Sequence, residues 1–248
     1  MTQLHDVVYT VSRDIARVFK FNATTHERLA DIDIKGLRHS WDIASCEQSS
    51  QVYIADNEEC VWRVSADGAD IKLWLPKSPS DTFKPWSLSV TSTRLLVTSQ
   101  AAKQLMQFDA EGSELRRVQL PDYVRPWYSV ESPRGTFIVC HDNTDLKQHL
   151  INEVDNDGKM LRQFTGSREP SLRFSLHVAA DSRGNVFVAD PESCRILLLD
   201  AQLTLRRVIV DQHQLNCKEP WRLCYGEPTG QLMVGLENSV AVFDVLRR

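Results

Sequence analysis

Short apolar runs alternate with polar residues at a period of two along almost the whole chain, and turn-forming residues break them roughly every eight to twelve positions. That is the pattern of half-buried strands joined by tight connections. The clearest stretch runs from Leu176 to Val210. There LHVAAD, VFVAD, RILLLDA and LRRVIV read as four strands, with Ser182-Arg183-Gly184-Asn185 and Pro191-Glu192-Ser193-Cys194 between them. Similar quartets follow Trp41 (WDIASC, QVYIAD, CVWRVSADG, IKLWLP), Trp86 (WSLSV, RLLVTS, QLMQFDAEG, ELRRVQLP) and Trp127 (WYSVES, GTFIVCH, HLINEVDNDG, MLRQFTG). Asp67-Gly68, Glu111-Gly112 and Asp157-Gly158 share one place in the quartet, the hairpin between third and fourth strands, where glycine supplies left-handed backbone. No stretch sustains a helical period.

Pro85-Trp86, Pro126-Trp127 and Pro220-Trp221 recur, with Trp41 and His177 near the equivalent points, so the repeat is about 41 to 50 residues long. A four-stranded unit of that size cannot cover its own faces and must stack on a neighbour. Before Trp41, VVYTVS, ARVFKF and RLADIDI match only a second, third and fourth strand; after Trp221, WRLCYG, QLMVGL and VAVFDV match only a first, second and third. The expectation is an all-β chain, a six-bladed β-propeller of four-stranded antiparallel blades with incomplete first and last blades, forming a single domain over residues 1–248. The open seam between the incomplete blades predicts a monomer or weak association there.

Composition narrows the function classes only a little. The 248 residues carry 29 Lys and Arg against 33 Asp and Glu, a net charge of -4, which is no general mark of a nucleic-acid binder, and DNA is not an expected partner. The opening MTQLHDVVYT lacks the basic and apolar segments of a secretory signal, and no membrane-length apolar run follows, so a cytoplasmic protein with no membrane partner is expected. The six cysteines contain no CxxC pair; free thiols are expected, and neither a zinc site nor a redox motif is spelled out.

The stretch LHVAADSRGNVFVADPESCRILLLD resembles an NHL repeat, a pattern that Asp181, Gly184, Ala189, Asp190, Arg195, Ile196 and Asp200 fit. The copy around Val52 keeps Ala55-Asp56 but has Cys60 and Val61 where Arg-Ile would stand, and the other copies are looser. Resemblance to the NHL propellers at the C-terminal end of tripartite-motif (TRIM-NHL) proteins implies a non-catalytic module that presents loop surfaces to another protein or peptide, or to single-stranded RNA. A protein-protein interaction or substrate-recognition scaffold is the expected function, of the kind found in ubiquitin-ligase-type proteins. No Cys/His spacing for RING or B-box zinc domains is present here.

In a propeller the fourth-to-first and second-to-third connections share one end. The fourth-to-first connections lean basic and supply a candidate binding rim of Lys84, Arg125, Trp127, Arg173 and Lys218; the second-to-third connections lean acidic. Phe83, Trp86, Tyr123, Trp127 and Trp221 offer stacking faces for single-stranded RNA, the alternative reading, although the mixed charge weakens it. The recurrent tryptophan also suits a wedge between blades. Directly after each marker position stand Asp42, Ser87, Tyr128, His177 and Arg222, one per blade, which alternation turns together toward a channel mouth as a candidate binding set.

Six-bladed relatives also include calcium-dependent lactonases and an amidating lyase, which makes a lactonase- or lyase-like enzyme the second alternative. One carboxylate, one histidine, a serine, a tyrosine and an arginine are a poor ligand set for calcium or zinc. No catalytic residues, metal or cofactor are therefore expected. The pairs Arg116-Arg117, Arg206-Arg207 and Arg247-Arg248 read as charge protecting exposed strand edges.

Overall fold

The computed structural model describes residues 1–56, 60–75, 83–91, 94–164, 172, 177–227 and 229–245, and in them the alternating runs are strands. Blade 1 is β1 (Thr2–Leu4), β2 (Val7–Ser12), β3 (Ile15–Asn22) and β4 (Ile32–Asp33); blade 2 is β5 (Ser40–Cys46), β6 (Gln51–Asp56), β7 (Cys60–Ser65) and β8 (Ile71–Leu75). Blade 3 is β9 (Ser87–Thr91), β10 (Arg94–Ser99), β11 (Gln104–Phe108) and β12 (Glu114–Gln119). Blade 4 is β13 (Val124–Glu131), β14 (Phe137–Asn143), β15 (Gln148–Val154) and β16 (Met160–Phe164). Blade 5 is β17 (His177–Ala180), β18 (Val186–Asp190), β19 (Arg195–Leu199) and β20 (Leu205–Val210), and blade 6 is β21 (Arg222–Gly226), β22 (Gln231–Gly235) and β23 (Val240–Asp244). Every blade is an antiparallel meander, and the only helical element among the described residues is a 3-10 turn at Pro191–Ser193.

One expectation is corrected. The first blade is complete, because Thr2–Leu4 forms a first strand paired with β2 through Thr2↔Tyr9, Gln3↔Val8 and Leu4↔Val7. Three residues are too few to show an alternation, and the turn that follows uses His5 at φ 51 where glycine would have announced it. The last blade has three strands among the described residues, as expected.

The chain divides into two units, Met1–Gln119 and Leu120–Arg248, each holding three blades. In the first unit one core cluster joins blades 1 and 2 around Leu4, Tyr9, Ile43 and Ile54, and a second joins blades 2 and 3 around Tyr53, Val61, Leu88 and Val97. In the second unit Cys140, Ile151, Val188 and Leu197 lie between blades 4 and 5, and Phe187, Ile196, Leu223 and Val234 between blades 5 and 6. Middle strands covered on both faces become almost continuously buried: all five residues of β18 are. The outer strands carry the charge instead, with Arg117 doubly bonded to Glu114 and Arg206 paired with Asp200, as edge protection requires. Arg247-Arg248 lie outside the described residues.

Turn chemistry explains why the repeat was legible. In the Asp109, Asp155, Asp181 and Asp200 hairpins the carboxylate Oδ1 accepts the backbone N–H groups two and four residues on, for example from Arg183 at 3.0 Å and Asn185 at 2.7 Å. The fourth position of each turn is left-handed: Gly112, Gly158 and Gly184, but Leu203 at φ 58 in the Asp200 turn. The remaining motif residues of blade 5 have equally local duties. Asp190 and Arg195 face each other across the β18–β19 register and form a buried ion pair with Nη2···Oδ2 of 2.8 Å, while Ala189 and Ile196 are fully buried core.

Candidate functional site

Asp42, Ser87, Tyr128 and His177 are all buried on their blades' first strands, and Arg222 is half-buried at the start of β21. The side-chain bonds of Asp42 and His177 run to the next blade. Asp42 Oδ2 accepts the Leu88 N–H at 2.8 Å, and His177 Nδ1 accepts the Leu223 N–H at 3.3 Å. Both bonds span 46 residues, one repeat, so two different side chains perform one fastening task. The Tyr128 ring stacks on His177 with centroids 3.7 Å apart. Burial drives the His177 pKa well below its ordinary value, reinforced by the Arg222 charge, and the neutral ring this leaves is the form that can accept a hydrogen bond. Ser87 Oγ is buried without a hydrogen-bond partner among the described residues. Beside Arg222, a Cβ on Gly235 would stand 3.1 Å from the Arg222 Cβ, so a larger residue at that crossing would push the neighbouring strand by a few tenths of an ångström.

The rim residues sit differently. Lys84 is exposed and its backbone N–H is held by Ser99 Oγ at 3.0 Å; Lys218 is exposed on the connection between blades 5 and 6. Arg125 is exposed at the start of β13, with its guanidinium carbon 4.9 Å from the centre of the half-buried Trp127 ring, a cation–π arrangement. Arg173 lies outside the described residues. The marker tryptophans divide: Trp41 and Trp86 stack at 4.5 Å between blades 2 and 3, whereas Trp221 is 37% exposed.

Blade 4 adds residues that sequence reasoning counted only as loop charge or lone histidine. Arg125, Asp142 and His149 are cross-strand neighbours on β13, β14 and β15, and Asp142 Oδ1 lies 2.6 Å from His149 Nδ1. Burial works against the Asp142 charge, but the neighbouring His149 and Trp127 side chains and the charges of His149 and Arg125 outweigh it and hold the carboxyl below its ordinary value. The row fixes Arg125 and Trp127 at the loop end of the second unit. Only the strand register reveals it, since the three residues lie far apart in the chain.

A second buried polar position recurs at the end of the second strand in blades 2 to 5. Asp56 accepts the N–H groups of Arg38 and His39, both at 3.2 Å; Ser99 holds Lys84; Asn143 Oδ1 accepts the N–H groups of Asp145 at 3.1 Å and Leu146 at 2.9 Å. These residues tie the loop-end connections to the blades, which gives the rim a set shape. Among the described residues no three His, Cys, Asp or Glu side chains gather as a metal-binding group, and no helix is long and apolar enough to cross a membrane.

Solved structures match this arrangement over nearly the full chain. A protein of unknown function from Bacteroides caccae is 13% identical, with a TM-score of 0.69 over 91% of this chain and 81% of its own. A catalytically inactive virginiamycin B lyase from Staphylococcus aureus, solved with quinupristin, is 12% identical, with a TM-score of 0.69 over 96% and 76%. The WD40 β-propeller domain of Doa1 is 14% identical, with a TM-score of 0.67 over 97% and 90%. The chain is a six-bladed β-propeller. At these identities the likeness shows the fold alone, and the propellers it matches include both a lyase and a WD40 domain. No family model matches the propeller's sequence, and no curated protein matches it.

Proposed function

We propose that the propeller is a non-catalytic recognition scaffold that binds another protein or peptide through the loop end of its second unit. The observation that carries this reading is the Arg125–Trp127 pair: an exposed guanidinium laid on an indole and backed by the Asp142–His149 bridge. Arg and Trp dominate the energetic centres of protein interfaces, and a pair already held in place loses little side-chain freedom on binding. Lys218 and the exposed Trp221 and Leu146 extend the same end with further basic and apolar surface. A role as the recognition part of a ubiquitin-ligase-type assembly fits this reading.

Affinity recovery from cell extract with the wild-type chain and with Lys84→Ala, Arg125→Ala and Trp127→Ala tests it. The expected result is a specific polypeptide whose recovery falls about tenfold or more with Arg125→Ala or Trp127→Ala, as truncation of an interface centre does. Equal recovery across all variants would remove this end from consideration. Filter binding of single-stranded RNA at two salt concentrations separates the RNA reading, since phosphate contacts lose affinity steeply as salt rises.

A further inference from the structure

The face of blade 4 opposite the Arg125–Asp142–His149 row holds a cleft of about 220 Å³, floored by Leu150 and Asn152, walled by Met160 and Tyr123, and rimmed by Asp145 and Leu146. At ~30 Å³ per water the space takes about seven waters, more than the five heavy atoms of a lysine side chain displace. We propose that this cleft seats an alkyl cation: the side chain of a lysine or arginine carried by the partner polypeptide. The proposal rests on the recognition reading above and names the chemistry of its partner.

Four observations carry it. His141 is buried behind the floor, and burial lowers its pKa, so the ring is neutral. The Asn152 amide nitrogen donates to His141 Nε2 at 2.7 Å, which puts the ring's proton on Nδ1, and the same nitrogen meets the Met160 sulfur. With its nitrogen turned that way, Asn152 Oδ1 is a buried acceptor with no partner among the described residues, although the residue is only 1% exposed. Asn152 lines the cleft, so a donor entering there satisfies this acceptor once the amide turns toward it.

Among the described residues the charge of the lining agrees, since it holds one carboxylate, Asp145, and no basic side chain. Apolar contact for a stem comes from Leu146, Leu150, Met160 and the Tyr123 ring. Leu146 is 60% exposed and is kept so by backbone bonds: Asn143 Oδ1 accepts its N–H, and Thr144 donates to the Tyr123 carbonyl at 2.9 Å. A donor head on an apolar stem is what these groups complement.

The test follows the methyl resonances of Leu146, Leu150 and Met160 in the full chain during titration with Nα-acetyl-lysine N-methylamide, its arginine counterpart, and the neutral norleucine and citrulline analogues. Saturable shifts with both cationic probes, about tenfold weaker for the neutral ones, are expected. Asp145→Asn, an exposed change that leaves the core alone, is expected to weaken the cationic probes about threefold or more, and Asn152→Leu to remove the discrimination. Equal response to cationic and neutral probes, or no saturable shift, would overturn the proposal, as would undiminished binding to Asp145→Asn. n-Butylammonium binding more tightly than the amino-acid probes would assign the cleft to a free amine and overturn the polypeptide source. A partner still lost with Trp127→Ala but retained by Asp145→Asn and Leu146→Ala would sink the cleft and leave the scaffold reading standing.

Discussion

Lowering the pH from 6.5 to 5 should remove up to about 1.6 kcal/mol of unfolding free energy through His177 alone. The folded-state pKa of His177 is driven well below its ordinary value by burial and by Arg222, whereas the unfolded chain titrates near 6.5. Above pH ~6.5 both states hold the ring neutral and the contribution is fully present. Below it the unfolded chain takes up a proton that the native chain does not, and each pH unit costs about 1.4 kcal/mol. His141, also lowered by burial, adds to the same slope. Urea unfolding at pH 7, 6 and 5 measures it. His177→Gln keeps an acceptor near the Leu223 N–H but cannot titrate, so its stability should fall with pH less steeply than that of the wild type, by up to about 1.2 kcal/mol between pH 6 and 5. Identical slopes would mean that His177 is not held neutral between blades 5 and 6.

Replacing Glu153 by alanine should cost about 3 kcal/mol, a fall of roughly 6 to 12 °C in Tm for a chain of this size. Glu153 is fully buried on β15, where its carboxylate accepts from Thr136 Oγ1, from Arg134 Nη2 at 2.9 and 3.0 Å, and from Arg162. Arg134 also donates to the Ala201 carbonyl at 2.7 Å, so the same guanidinium links blade 4 to a turn of blade 5. Removing the acid strands two arginines. Because both are more than a third exposed, the loss stays near the lower limit for a broken buried pair. Burial raises the Glu153 pKa, but the Thr136 and Arg162 bonds and the Arg134 charge outweigh it and leave the pKa lowered. This contribution is therefore present above the unfolded value near 4.3 and is lost as pH falls through the folded one, a window more acidic than that of His177. Thermal unfolding of wild type and Glu153→Ala at pH 7 and pH 3.5 checks both points: the gap in Tm should narrow at the lower pH.

The blades were legible because the information that specifies them is local. Asp109, Asp155 and Asp181 hold their turns with their own carboxylates, and the glycines that follow are written in the chain. Where locality failed, so did the reading. The Thr2–Leu4 strand shows no alternation, and Leu203 occupies a left-handed position that its side chain does not advertise.

The site was legible by position but not by bond. The residue after each marker lies on a first strand, yet the partners of Asp42 and His177 are backbone groups one whole repeat away, which no local pattern encodes. The Arg125–Asp142–His149 row and the Asn152 cleft depend on cross-strand register, where a shift of one residue would move each side chain to the other face. Of the rim residues, Arg125 and Trp127 are brought together, while Lys84 and Lys218 stand on separate connections of different units.

The central claim is that recognition uses one end of the second unit, and site-specific photocrosslinking tests it most directly. A benzophenone amino acid is placed in turn at Leu146, on the loop end, and at Arg183, in the exposed turn at the opposite end. Irradiation in cells should give a discrete crosslinked polypeptide from position 146 and none from position 183. The same polypeptide captured only from position 183, or equally from both, would contradict the account.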